Sequence, residues 1–178
     1  MGYHRAGFEV VGVDINPQPN YPFEFHQGDA LEFIKEHGHE FDAVHGSPPC
    51  QRYANVTSWR GSQDAHPDLV DAARDQFVAS GLPYVIENVL EAPVRRDLIL
   101  CGSHFGLRVR RHRAFESNIP LSPPPGECNH DGLLPFMHKG ERAYADAMGC
   151  TWMSGREGRQ AIPPAYTEHI GKQLLERV

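Results

Sequence analysis

The segment of this chain with the clearest capacity for covalent chemistry is Gly46-Ser47-Pro48-Pro49-Cys50-Gln51. It follows Phe41-Asp42-Ala43-Val44-His45, a short run that predicts a buried strand. The two prolines fix their own φ angles and favour extended geometry in the residue before each, so we expect a stiff loop. A thiol held there, at the C-terminal end of a strand, lies where open α/β sheets bind ligands. Cys50 is therefore a candidate nucleophile, and a buried, inert thiol is the alternative.

Carboxylates at the ends of other predicted strands could assist such a thiol. The run Tyr84-Val85-Ile86-Glu87-Asn88-Val89 predicts a β-branched strand whose end carries an acid and an amide. An earlier strand ends at Asp14, where doubly wound folds bind ribose hydroxyls, although a solvated strand end is an equal alternative. Asp29 precedes a predicted helix, and it could cap that helix or accept a hydrogen bond from a bound adenine.

The positive charge of the chain is concentrated in one stretch of sequence. Six arginines lie between positions 95 and 113, namely Arg95, Arg96, Arg108, Arg110, Arg111 and Arg113. They predict either a local anion-binding patch or solvated surface. The net charge of −6 argues against a protein that coats nucleic acid non-specifically.

Strands and helices alternate along the sequence in the way that a doubly wound α/β fold requires. Hydrophobic periodicity and capping signals predict strands at 8–14, 23–26, 41–45, 84–89, 97–102 and 113–117, and helices at 29–37, 67–80, 141–148 and 164–177. We expect a mostly parallel sheet with helices on both faces, and we expect the last two strands to form an antiparallel edge pair. The segment 120–138 predicts a loop.

Length and composition indicate one domain spanning residues 1–178. The sequence contains no run of 18 apolar residues and no basic segment followed by an apolar one at its start, so we expect neither a membrane span nor a signal peptide. Four scattered cysteines without CxxC pairs indicate reduced thiols. These features together predict a cytoplasmic protein.

Three motifs, taken in their order along the chain, resemble those of the DNA cytosine-5 methyltransferase family. They are Pro48-Pro49-Cys50-Gln51, Glu87-Asn88-Val89 and Arg111-x-Arg113. The resemblance extends to Asp14, which matches the family's acid at the second strand, and to Gly28-Asp29, which matches its adenine-side motif. Ala161-Ile162-Pro163-Pro164 resembles the closing segment of the family. The resemblance implies a Rossmann-like class I methyltransferase sheet, S-adenosylmethionine as methyl donor and a flipped cytosine of DNA as substrate.

The same resemblance implies a role for each matching residue. Cys50 would attack C6 of cytosine, Glu87 would engage N3, Arg113 would contact the O2 side, and Arg111 would position the loop or the base. The implied cofactor contacts are Asp14, Ile15, Asp29, Ala30 and Pro48, and the implied substrate contacts are Pro49, Gln51, Ser58 and Asn88. Asn88 could instead orient the proline turn through a side-chain hydrogen bond.

Three departures from the family pattern carry expectations of their own. The chain has no Phe-x-Gly-x-Gly-Gly turn, and the strand before that turn normally lies between the strands ending at Asp14 and Cys50. We therefore expect either that this sequence starts at an internal methionine, which we favour, or that the sheet re-pairs across the gap. The variable region at 118–150 is very short, which predicts relaxed sequence specificity or a partner that supplies it. Finally, Arg159-Gln160 replaces the family's Gly-Asn.

Three other functions compete with this interpretation. The chain could be a catalytically impaired or truncated DNA-binding protein with the same fold, or a methyltransferase that acts on free cytosine nucleotides. It could also hold zinc through Cys128, His130, His138 and Cys150. The tight Cys-x-His spacing is atypical of structural zinc sites, so the sequence favours no metal.

Overall fold

The structure of the protein is a computed structural model, which describes residues 1–54, 57, 62–131 and 140–178. Within these ranges the chain has an α/β fold with two small sheets, which confirms only the α/β part of the predicted class. The chain forms two compact units. Unit 1 contains Met1–Gly28, Leu100–Arg111 and Pro123–Arg177, and unit 2 contains Asp29–Ile99, His112–Ser122 and the terminal Val178. That residues 1–178 are one domain stays a prediction.

The described elements follow the predicted order closely. The strands are β1 (Val11–Asp14), β2 (Glu24–Gln27), β3 (Val44–Gly46), β4 (Tyr84–Asn88), β5 (Leu98–Leu100) and β6 (Arg113–Ser117). The α-helices are α1 (Gly2–Ala6), α2 (Ala30–His37), α3 (Val70–Ser80), α4 (Glu141–Ala147), α5 (Gly155–Gln160) and α6 (Pro164–Leu174). Helix α5 was not predicted, although Ser154 and Glu157 form a capping box at its start. No helix in the described ranges combines the length and the apolar character needed to cross a membrane.

In unit 1, β1 and β2 form a two-stranded parallel sheet with Asp14 opposite Gln27. Helix α1 packs against α6, and Gly2 lies so close that a Cβ there would stand 2.0 Å from the Thr167 hydroxyl oxygen. A separate apolar cluster consists of Val109, Tyr144, Ala145, Met148 and Cys150.

In unit 2, a four-stranded sheet has the order β3, β4, β6, β5. Strand β3 is parallel to β4, whereas β6 is antiparallel to β4. The core of the unit is built from this sheet and α3, through Val44, Val70, Phe77, Tyr84, Ile86, Ala92, Val94 and Ala114. Strands β5 and β6 do lie side by side at one end of the sheet, as the sequence predicted.

The strands of the described chain do not combine into one sheet. Strand β1 pairs with β2, and β3 pairs with β4, so the expected alternative in which the sheet re-pairs across the gap is not observed among the described residues. Both sheets are small, and four of the six described strands have only three or four residues.

Candidate functional site

The loop that carries Cys50 leaves the C-terminal end of β3 in unit 2. Because β3 and β4 are parallel, with Gly46 opposite Ile86, the loop starts at the edge of the sheet where β4 ends in Glu87 and Asn88. Gly46 is required at this point, since a Cβ on it would lie 2.6 Å from the Phe77 ring. The sequence therefore fixes the start of the loop through close packing against α3.

A hydrogen bond ties the proline loop to the neighbouring strand. The side-chain Nδ2 of Asn88 donates to the carbonyl oxygen of Pro48 at 3.0 Å, and the Asn88 carboxamide oxygen accepts from the Val89 backbone N–H at 2.9 Å. Asn88 is 1% exposed, so both bonds are shielded from water. The loop before Cys50 is thus restrained by the hydrogen bond from Asn88 to Pro48 and by the fixed φ angles of the two prolines.

Cys50 is a free, half-buried thiol. Its carbonyl oxygen accepts from the backbone N–H groups of Tyr53 and Ala54 at 3.0 and 2.9 Å, which closes a turn directly after it. The Tyr53 hydroxyl donates to Asp68, and the Arg52 guanidinium lies 3.5 Å from the same carboxylate. The residues that follow Cys50 are therefore anchored, and Cys50 itself is half-buried and does not belong to the apolar core of unit 2.

Glu87 and Arg113 form an ion pair at the same edge of the sheet. Strand β6 runs antiparallel to β4, so its first residue lies beside the last residues of β4. Arg113 Nε is 2.8 Å from Glu87 Oε1, and the two side chains are 15% and 7% exposed. The structure thus brings three predicted residues, Cys50, Glu87 and Arg113, to one edge of one sheet in unit 2.

Arg111 belongs to unit 1 and is buried there. Its Nη2 donates to the carbonyl oxygen of Gln160 at 3.0 Å, and its own carbonyl oxygen accepts from the Tyr166 hydroxyl at 2.6 Å. These contacts give Arg111 a structural place at the end of α5 and beside α6. Its predicted role in positioning the Cys50 loop or the base stays a prediction.

The predicted cofactor residues of unit 1 lie at the end of β1. The Asp14 carboxylate accepts from the Asn16 backbone N–H at 2.8 Å and from the Gln18 side chain at 3.2 Å. Ile15 is 69% exposed, which is high for a large apolar side chain. The Gly28 backbone N–H donates to the Asp14 carbonyl oxygen at 3.0 Å, so Gly28 and Asp14 are neighbours in unit 1.

Asp29 caps helix α2, as one of the two sequence interpretations predicted. Its Oδ1 accepts from the backbone N–H groups of Leu31 and Glu32 at 2.8 and 3.2 Å, and Ala30 is the first residue of the helix. Both bonds use the same oxygen, so the cap does not require Oδ2. Contact with an adenine stays a prediction for Asp29 and Ala30.

The remaining predicted substrate residues have mixed outcomes. Pro49 and Gln51 flank Cys50 in the described loop, whereas Ser58 lies outside the described residues. Of the clustered arginines, Arg95 pairs with Asp97 and Glu116, and Arg96 donates to the Leu90 carbonyl oxygen. Arg108 and Arg110 are exposed.

Two titratable groups in unit 2 were missed by sequence reasoning. Glu116 is completely buried and accepts hydrogen bonds from Arg74 and Arg95. Burial of its ring lowers the pKa of His45 on β3 to about 4. An acid inside an apolar strand was the available signal for Glu116, because such a residue requires a buried partner.

Comparison of the sequence with protein-family models and with curated proteins finds no match.

Proposed function

We propose that this protein transfers a methyl group to C5 of cytosine in DNA through a transient covalent bond between Cys50 and C6. The observation that supports this proposal best is the arrangement in unit 2. A half-buried thiol on an anchored loop and a buried carboxylate–guanidinium pair share one edge of one sheet. A Rossmann-like methyltransferase sheet is the finer fold assignment that belongs to this proposal.

Cytosine needs such a set of groups because its C5 is a weak nucleophile. Addition of the Cys50 thiolate to C6 forms a sulfur–carbon bond and shifts an electron pair toward C5. Glu87 lowers the cost of this step by sharing a proton with N3, and the Arg113 guanidinium stabilises the negative charge that develops on O2. After C5 has gained the methyl group, its proton leaves to water, the sulfur–carbon bond breaks, and the thiolate is regenerated.

S-adenosylmethionine, when bound, supplies the electrophilic methyl group. The end of β1 fits part of this ligand. Asp14 presents its carboxylate at a strand end. Among the described residues, Oδ2 accepts a hydrogen bond only from the Gln18 side chain, and ribose hydroxyls could replace that bond. The exposed side chain of Ile15 offers an apolar surface for an adenine ring.

The fixed geometry of the loop matters for the reaction of Cys50. A nucleophile gains most from being held in the attack position before the substrate arrives. The Asn88–Pro48 hydrogen bond and the turn at Tyr53 supply this restraint on either side of the thiol. Because C6 is inaccessible in a stacked duplex, the cytosine must be flipped out or single-stranded.

The proposal is tested with an oligonucleotide that contains 5-fluorocytosine. Its C5 fluorine cannot leave as a cation, so the enzyme and the DNA should remain covalently linked after methyl transfer. We expect a denaturation-resistant complex in the presence of S-adenosylmethionine with the wild-type chain, and none with Cys50→Ser. A wild-type chain that neither forms this complex nor incorporates labelled methyl groups would overturn the proposal.

Two further comparisons separate the alternatives. Trapping that persists in Cys50→Ser would show that another group is the nucleophile. Equal methylation of dCMP and DNA would favour the free nucleotide as substrate.

Calorimetry with S-adenosylmethionine on the wild type, Ile15→Ala and Asp14→Asn tests the donor site separately. We expect the affinity for S-adenosylmethionine to fall about tenfold in each variant.

A further inference from the structure

Unit 1 contains a cluster of soft metal-ligating side chains that the proposed reaction does not use. It consists of Cys101, Cys128 and His130, whose sulfur and nitrogen donor atoms lie within 4.8 Å of one another. Cys101 Sγ and His130 Nε2 are 3.7 Å apart. Neither cysteine forms a disulfide with another described residue. We propose that these three side chains bind a zinc ion.

The spacing of the donor atoms suits a tetrahedral zinc centre. With Zn–S and Zn–N bonds of about 2.3 and 2.0 Å, a sulfur and a nitrogen ligand lie about 3.5 Å apart. The observed separation of 3.7 Å between Cys101 Sγ and His130 Nε2 is close to that value. Two thiolates and an imidazole also form a donor set that favours zinc over calcium or magnesium, which prefer oxygen ligands.

The local structure holds Cys101 rigidly. It follows β5 directly and is completely buried, and its backbone N–H donates to His104 Nδ1 at 3.3 Å. The next residue, Gly102, lies so close to Val109 that a Cβ would stand 2.2 Å from the Val109 carbonyl oxygen. One ligand is therefore placed in advance by the fold, as structural metal sites require.

The other two ligands lie on an irregular segment and leave the site open to solvent. Asn129, between Cys128 and His130, turns its side chain to accept from the Asp131 backbone N–H at 2.9 Å. His130 is exposed and Cys128 is half-buried, so an ion can enter from this side. Zinc would tie this segment of unit 1, which has no helix or strand of its own, to the end of β5.

The ligands differ from the set that the sequence suggested. Cys128 and His130 are shared, but Cys150 lies in the apolar cluster with Tyr144 and Met148. His138 lies outside the described residues. Cys101 was missed because it is distant in sequence and looks like the apolar end of a strand. A water molecule can supply the fourth ligand of a tetrahedral centre.

Metal analysis of the purified chain tests this inference without DNA or S-adenosylmethionine, so its outcome is independent of the proposed methylation. We expect about one zinc per chain by mass spectrometry of the metal content, and the half-buried Cys128 should react with a thiol reagent only after a chelator is added. Replacement of zinc by cobalt(II) should give the intense absorption of thiolate-to-cobalt charge transfer. Zinc below about one tenth of an equivalent, with no cobalt–thiolate band on titration, would overturn the inference.

Variants assign the ligands. His130→Asn changes an exposed side chain and should not unfold the protein, yet it should weaken zinc binding about tenfold or more, as should Cys128→Ser. Cys50→Ser is the matched control, because it removes a half-buried thiol outside the cluster and should leave the zinc content unchanged. Zinc affinity that is unaltered in both cluster variants, or a Cys101–Cys128 disulfide found by mass spectrometry of the freshly purified chain, would refute the site.

Discussion

Arg113 Nε lies 2.8 Å from Glu87 Oε1, and this pair joins the end of β4 to the start of β6. The two residues are not directly opposite in the sheet, since Glu87 faces Phe115 and Asn88 faces Ala114. The pair is therefore diagonal, which places the guanidinium at the edge of the sheet from which the Cys50 loop emerges. Both side chains are largely buried, so each depends on the other to offset the loss of hydration.

Substitution of one partner should expose this dependence. We expect Arg113→Met to lower the free energy of unfolding by about 3 kcal/mol, because the Glu87 carboxylate would remain buried without a counter-ion. The double variant Arg113→Met with Glu87→Gln should recover most of the loss. Urea denaturation of the wild type, the two single variants and the double variant gives the coupling energy between Arg113 and Glu87. A coupling energy near zero would show that the pair contributes nothing to the fold.

A change that removes only the charge of Glu87 should reduce methyl transfer more strongly than it reduces stability. We expect Glu87→Gln to reduce the rate of methyl transfer about 10²–10⁴-fold, since an amide cannot share a proton with N3. Circular dichroism should remain that of the wild type. Full activity in this variant would contradict the role proposed for Glu87.

Asn88 is expected to act as a positioning residue for Cys50. Asn88→Asp keeps the shape of the side chain but replaces the donor to the Pro48 carbonyl oxygen with a buried carboxylate oxygen, so it should lower stability by about 3 kcal/mol. The rate of covalent trapping should fall about tenfold or more, while affinity for S-adenosylmethionine should stay unchanged. Equal loss of trapping and of cofactor affinity would instead indicate general damage to the structure.

Much of the architecture could be predicted because the local signals agreed with one another. The run before Pro48 and the run ending at Asn88 predicted two parallel strands. Because parallel strands end at the same edge of a sheet, this was enough to place Cys50 and Glu87 at one edge. The Asp29 cap was also readable, because an acid followed three residues later by Glu32 is a recognisable helix start.

Other features depended on contacts between residues far apart in the sequence. The buried carboxylate of Glu116 meets Arg74 on α3, and no local pattern pairs these two residues. Arg111 resembled a base-contacting arginine, yet its guanidinium bonds to the Gln160 carbonyl oxygen in unit 1. Periodicity and spacing describe a residue's neighbours along the chain, and they leave open which distant partner satisfies a buried charge.

Glu116 should be among the most sensitive positions for stability in unit 2. It is fully buried, and Arg74 Nε and the Arg95 backbone N–H donate to it at 2.7 and 2.9 Å. Although burial acts to raise the pKa of Glu116, the hydrogen bonds from these arginines hold it below its ordinary value. We expect Glu116→Gln to cost about 3 kcal/mol of unfolding free energy. Asp71→Asn is the matched control, because Asp71 pairs with the same arginine at the surface and should change stability by under about 0.5 kcal/mol.

His45 should make the protein sensitive to mild acid. Burial lowers the pKa of His45 to about 4, whereas the unfolded chain has a histidine pKa of about 6.5. The unfolded state therefore binds more protons between these values, so the stability due to neutral His45 is complete above pH 6.5 and is lost as the pH falls toward 4. We expect His45→Gln to remove up to about 3 kcal/mol of this pH dependence, measured as the wild-type minus variant difference in unfolding free energy at pH 7.5 and pH 4.5. The control is His39→Gln, because His39 is exposed. An identical pH dependence in the wild type and in His45→Gln would show that the His45 imidazole is protonated without cost to the fold.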